Sequence, residues 1–290
     1  MIIYNSRFLT RGETWFDEEP NPAGLDWLLY NQRSRPVSGA KSKYFHSYLV
    51  DLSPSPDGLL SAMHKETVHK IRRARDTDKV TCQSCETGDA AALDAFEAMY
   101  NRFASVKGLS PMDRCRLNGL ATAGILGLSV AKDIQGHALV YHAYCRSSAR
   151  TSLLFSASRF RELADSAARN AIGRANRYLT WMDMLRAKEQ GLEHFDFGGW
   201  YPGNTDKSLL QINEFKKGFG GRVVREYECE QILSVRGWVV LTVAAMLNRA
   251  KGLPRRDGSA ELSANAQPSG LRTADSGVRP IPELTSNAHS

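Results

Sequence analysis

HFDFGGWYPGNTDKSLLQINEFKKGFGG, residues 194–221, is the stretch on which the reading of the fold turns. Phe195, Asp196 and Phe197 alternate, as in a strand with one polar and one apolar face. Gly198 and Gly199 end that strand, and a glycine pair permits φ > 0 and a close approach of substrate. The run LLQINEFKKGFG reads as a short helix, which Gly220 and Gly221 close before a final strand, RVVREYECEQIL. A carboxylate, two glycine pairs and the adjacent Lys216 and Lys217 therefore meet at one strand–helix junction.

Upstream, residues 176–190 carry Leu179, Met182 and Leu185 or Arg186 at helical spacing, with Gly191 placed as a C′ residue. Before that helix come three closely spaced strands, ILGLSVAKD, HALVYHAYCR and TSLLFSASR, the first pair joined by a turn containing Gly136. Two helices precede them. One has a stripe of Leu93, Phe96, Met99 or Tyr100, and Phe103; the other is read as capped by Ser110 with Pro111 in its first turn. DKVTCQSCE reads as a strand, and so does the alternating YFHSYLVDLSP, which SPSPDG terminates. A helix with Leu60, Met63, Thr67, Ile71 and Ala74 on one side follows. Its other side carries Lys65, His69, Lys70, Arg72, Arg73 and Arg75, either a solvated face or a surface that tracks phosphates. Antiparallel strands followed by strand–helix alternation give an α/β (α+β) class with one mixed sheet and helices on both faces.

The chain of 290 residues is long enough for a substantial core, and its net charge of +7 favours an anionic partner without specifying one. Five cysteines, an odd number, and no signal peptide point to a reducing cytoplasm. Cys82 and Cys85 have no second Cys/His pair at zinc spacing, so no metal is expected. The apolar run at residues 237–247 is about half of the ~20 residues a membrane span needs. It reads as a buried or interfacial helix, the latter giving peripheral contact with an inner membrane through Trp238 to Leu247. Residues 252–290, rich in Ser, Ala, Gly and Pro, read as disordered.

Phe195-Asp196-Phe197-Gly198-Gly199, followed by Phe215-Lys216-Lys217-Gly218-Phe219-Gly220-Gly221, resembles the paired motifs of Fem-type transferases, a branch of the GNAT acyltransferase superfamily. The resemblance spans residues 48–227. It implies a GNAT-like acyltransferase domain at residues 78–235 and a short N-terminal companion subdomain at 1–77, while the apolar run gives a hydrophobic helix at 236–251. The activity it implies is transfer of an acyl or aminoacyl group from acyl-CoA or aminoacyl-tRNA to an amine. Either carrier would be a co-substrate rather than a permanently bound cofactor. Partners would be the amine acceptor and tRNA, but not DNA.

Lys216 corresponds to the family's lysine near the donor carbonyl. Asp196 either orients the amine or takes its proton, or instead caps the glycine turn. Gly198, Gly199, Phe215, Arg72 and Arg73 are expected on the substrate side. Gly173 and Ala175 in RNAIGRAN match a pyrophosphate-cradling loop, although Asn170 stands where Arg or Gln is usual; Arg174 and Arg177 lie beside them. Two rival readings use the same residues: a non-catalytic module that keeps the fold, and a nucleic-acid or membrane-surface binder acting through the basic helix and the Trp238 segment.

Overall fold

The computed structural model describes residues 1–250 except 7, 86 and 87. The tail read as disordered lies outside the described residues. Strands β1 (Ile2–Ser6), β2 (Leu9–Trp15), β3 (Trp27–Arg33) and β4 (Lys41–Asp51) come first, then helices α1 (Pro56–Ala62) and α2 (Lys65–Asp76). Next are β5 (Thr81–Cys85), α3 (Ala90–Lys107), α4 (Arg114–Thr122), β6 (Leu126–Lys132), β7 (Ala138–Arg146) and β8 (Arg150–Ser158). The described chain ends with α5 (Ser166–Glu189), β9 (His194–Gly199), α6 (Lys207–Lys217), β10 (Arg222–Ile232) and α7 (Val235–Ala250).

The ten strands among the described residues form one mixed sheet, in the order β1-β2-β3-β10-β4-β9-β8-β7-β6-β5. Strands from residues 1–77 extend this sheet rather than forming their own, because β4 lies between β9 and β10. β8 and β9 run parallel but pair at only three positions, the last being Ser152 with Asp196, and then diverge. Aromatic and aliphatic side chains cover both faces. Phe96, Tyr100, Leu126, Leu128 and Phe155 pack under α3 and α4, while Met184, Phe195, Phe197, Phe215 and Phe219 pack with α5 and α6.

Three boundaries differ from the sequence reading. The helix after SPSPDG is two helices: Met63 is extended, and the His64 N–H bonds the Gly218 carbonyl at 3.0 Å instead of continuing the turn. The break shifts the phase, so Leu59 rather than Leu60 is the buried residue of α1. α4 is capped by Asp113, whose side chain accepts from Arg116 N, because Asn101 captures the Met112 N–H at 2.8 Å and holds the chain outside the helix. α5 starts at Ser166, ten residues before the expected start, with Asp165 accepting from Ala168 N at 2.8 Å.

Candidate active site

β9 puts its two phenylalanines on the α5–α6 face and Asp196 on the other, as alternation requires. Asp196 Oδ1 accepts the Gly198 N–H at 2.7 Å, closing a turn in which Gly198 has φ +68°. The next carbonyl, of Gly199, accepts a hydrogen bond from Lys216 Nζ. α6 delivers that lysine from a helix whose first turn is held by Asp206, which accepts from Ser208 N and Leu209 N. Lys216 is 1% exposed, and burial lowers its pKa to about 8 against the opposing pull of Asp196. Lys217, one residue on, turns to solvent and pairs with Glu214 at 2.6 Å.

Phe215 packs edge-on against Phe197, and the Arg177 guanidinium lies 4.8 Å from the centre of its ring. Arg177 is 8% exposed, donates to the Gly173 carbonyl at 3.0 Å, and burial lowers its pKa to about 10. Among the described residues, neither Arg177 nor Lys216 has a carboxylate at ion-pair distance. A buried cation without a counter-ion costs several kcal/mol. Arg177 lies against Phe215, and Lys216, the next residue of α6, is held at the Gly199 carbonyl.

Asp196 is also one member of a buried polar network on the opposite face of the sheet. Its Oδ2 accepts from Gln32 Nε2 at 2.6 Å and from Arg150 Nε and Nη2 at 3.1 and 2.6 Å. Arg150 also holds Glu226 at 2.5 Å, while Ser47 donates to Glu226 and Gln32 accepts from Ser152 at 3.1 Å. Burial, the largest influence, moves the Glu226 carboxyl upward, with Arg150 opposing. The Phe16 ring covers the Arg150 guanidinium at 4.7 Å. Phe16 and Gln32 both have left-handed backbones, φ +58° and +55°, a strained state for non-glycine residues that persists only where surroundings enforce it.

Arg150, Glu226, Gln32 and Ser47 were not found from the sequence. One signal was there: Glu226, Glu228 and Glu230 repeat at period two along the last strand, and two of the three are buried.

The expected phosphate cradle has a different structure. Because α5 begins at Ser166, Gly173 and Ala175 lie buried inside the helix, and the loop they were to form does not exist. Arg174 is engaged by Asp78 at 2.5 and 2.9 Å. Arg72 and Arg73 sit on the exposed side of α2 and make no hydrogen bond or ion pair with any described residue. The structure thus brings together Asp196, Gly198, Gly199, Phe215, Lys216 and Arg177, and leaves Gly173, Ala175, Arg174, Arg72 and Arg73 outside.

No protein-family profile matches the chain, and no curated protein matches it in sequence. Solved structures do match. The crystal structure of FemX superposes with a TM-score of 0.56 at 13% identity, covering 76% of this chain and 74% of that one. The C-terminal domain (DUF2156) of a putative lysylphosphatidylglycerol synthetase from Agrobacterium fabrum gives 0.50 at 14% identity, covering 76% and 72%. At such identities the likeness is one of fold, and the fold is that of the GNAT-like acyltransferases.

Proposed function

We propose that this protein is an N-acyltransferase of the Fem-like kind, moving an acyl or aminoacyl group from acyl-CoA or aminoacyl-tRNA to an amine. The observation that carries the reading is Lys216: a fully buried ammonium with no carboxylate at ion-pair distance among the described residues, held by the Gly199 carbonyl at the end of β9. The amine nitrogen attacks the carbonyl carbon of the activated ester or thioester, and the carbonyl π electrons move onto oxygen. Lys216 meets that oxyanion. Collapse re-forms the carbonyl and breaks the C–O or C–S bond, and the proton lost by the nitrogen passes to the leaving alkoxide or thiolate. A preorganised donor of this type contributes about 10²–10³ in rate.

Asp196, with four hydrogen bonds already accepted, holds the turn that aims the Gly199 carbonyl and Lys216 rather than taking the amine's proton. Arg177, beside Phe215, is placed to meet phosphate or carboxylate of the carrier. With no backbone cradle at Gly173, the remaining phosphate contacts fall to side chains, for which the exposed row from Lys65 to Arg75 on α2 is available.

α7 supplies the membrane contact in this reading. Its first turn is tethered by Asp26, which accepts from Ser234 Oγ and Arg236 Nε. Trp238 and Met246 are 60% and 65% exposed, and Val239, Val243 and Leu247 lie on the same side. The sequence continues through Arg249, Lys251, Arg255 and Arg256 before the next acid, Asp257, a pattern complementary to anionic lipid. No helix among the described residues is long and apolar enough to cross a membrane. The free cysteines fit a cytoplasmic protein working at the inner membrane surface.

The test is incubation with labelled acetyl-CoA and, separately, charged tRNA against a panel of amines, using the wild type and a folded Lys216→Met variant. Transfer from one donor that falls about 10²–10³-fold in the variant supports the reading. Equal turnover in the two proteins rejects the role of Lys216, and no transfer from either donor favours a non-catalytic module. Sedimentation with phosphatidylglycerol vesicles, lost on Trp238→Ala, tests the membrane contact.

A further inference from the structure

At the opposite end of β8 and β9 from the Lys216 site, a cavity of about 190 Å³ opens against the C-terminal half of α5. Phe195, on its wall, is four residues along β9 from Gly199, roughly 13 Å at strand rise, so the cavity is separate from the proposed reaction centre.

Its polar wall is built from inside outward. Asp183 is fully occupied: Oδ2 accepts from Ser129 at 2.9 Å and Tyr144 at 2.5 Å and lies 3.0 Å from His142 Nδ1, while Oδ1 accepts from Arg186 at 3.0 Å. Burial first, then the Asp183 charge, pushes the Tyr144 phenol upward, so it stays a donor. Arg186 is spent on Asp183 and on the Cys82 carbonyl at 2.9 Å. Arg146 is different. It lines the cavity and has no hydrogen-bond or ion-pair partner for its guanidinium among the described residues.

Nor does Arg146 extend into water. It lies flat across Gly127, where a Cβ would come within 2.5 Å of its Nε and Nη2. The glycine makes room for a preorganised planar cation. The hydroxyls of Ser84 and Thr151, also on the wall, have no hydrogen-bond partner among the described residues either, and Ala187 and Phe195 supply an apolar surface. Of the charged residues lining it, two are arginines and one is the satisfied Asp183, so the cavity is net positive.

We propose that this cavity binds a small organic acid, with its carboxylate on the Arg146 fork and the free hydroxyls and its apolar body against Ala187 and Phe195. An apolar cavity of about 150 Å³ accommodates benzene, so the volume here suits a ring or short chain bearing one carboxylate. A guanidinium matches such a head with two parallel charge-assisted hydrogen bonds. The site does not rest on the acyl-transfer reading, since none of its residues touches Lys216.

The experiment is a ¹H–¹⁵N NMR titration of the full chain with benzoate, with inorganic phosphate (head alone) and with benzyl alcohol (body alone). Saturable benzoate binding is expected, with shifts at the Leu128, Thr151 and Ala187 amides and weaker binding of the other two probes. Arg146→Met and Gly127→Ala, the second of which displaces the guanidinium without removing it, should each weaken benzoate about 10-fold or more. Lys216→Met should leave it unchanged. Absence of saturation at millimolar benzoate, phosphate binding as tightly as benzoate, or unaltered affinity in both cavity variants overturns the proposal.

Discussion

Replacing Lys216 with methionine keeps the stem and deletes the charge, and the structure predicts a gain in stability alongside the loss of activity. Burial moves this lysine from an ordinary 10.5 to about 8, which at about 1.4 kcal/mol per unit penalises the folded state by about 3 kcal/mol at neutral pH. Against this, the Gly199 carbonyl loses its donor, a cost of about 1–3 kcal/mol. The variant should therefore lie between equal stability and about 2 kcal/mol above the wild type, a Tm higher by up to roughly 8 °C for a chain of this size.

The dependence on pH is the sharper part. The folded pKa is below the unfolded one, so the wild-type penalty is complete below about pH 8 and disappears as pH rises through the unfolded value. The variant's advantage must shrink across that window and reverse at its alkaline end, where only the lost hydrogen bond remains. Scanning calorimetry of both proteins from pH 6 to pH 10 reads this directly. A difference in Tm that stays constant across the range would show that the ammonium is not desolvated in the folded protein, and the reasoning would fail.

Arg150→Met strands Asp196 and Glu226 in the interior without their cation and should cost about 3–5 kcal/mol at neutral pH by urea unfolding. Because burial holds the Glu226 carboxyl above its ordinary value, the folded variant takes up its proton before the unfolded chain does as pH falls, and the deficit should narrow in mild acid. Gly220→Ala places a Cβ 2.5 Å from the Ala62 carbonyl at φ +78°, whereas Gly136→Ala at φ +83° meets nothing within 4 Å. The second should cost about 1–2 kcal/mol from backbone strain alone and the first clearly more, as denaturation midpoints will tell.

Much of this fold could be read in advance wherever the residues that shape an element lie within it. The paired glycine motifs located β9, α6 and the buried Lys216, and the Leu93–Phe96–Phe103 stripe located α3. Where burial depends on distant partners, pattern is silent. β2 reads as polar through Thr10–Thr14, yet Glu13 is buried because Tyr4 and Arg116 satisfy it at 2.6 to 2.9 Å. The first three strands were accordingly not read at all. The start of α5 was missed for a related reason: Gly173 and Ala175 look like a loop, but both lie in the buried stretch of α5, where Ala175 packs with Ala74 of α2 in one core cluster. Gln32, Arg150 and Glu226 come from three strands far apart in the chain and become a network only when β3, β8 and β10 share a sheet.

The most direct test of the central claim, that the Lys216 ammonium stabilises the oxyanion of amide formation, is the pH profile of kcat/KM for the wild type and Lys216→Met with whichever donor proves active. The account predicts a wild-type rate that falls tenfold per pH unit above about pH 8, and a variant about 10²–10³-fold slower that lacks this descending limb. A variant with wild-type turnover, or one whose slower rate keeps the same alkaline limb, would contradict it.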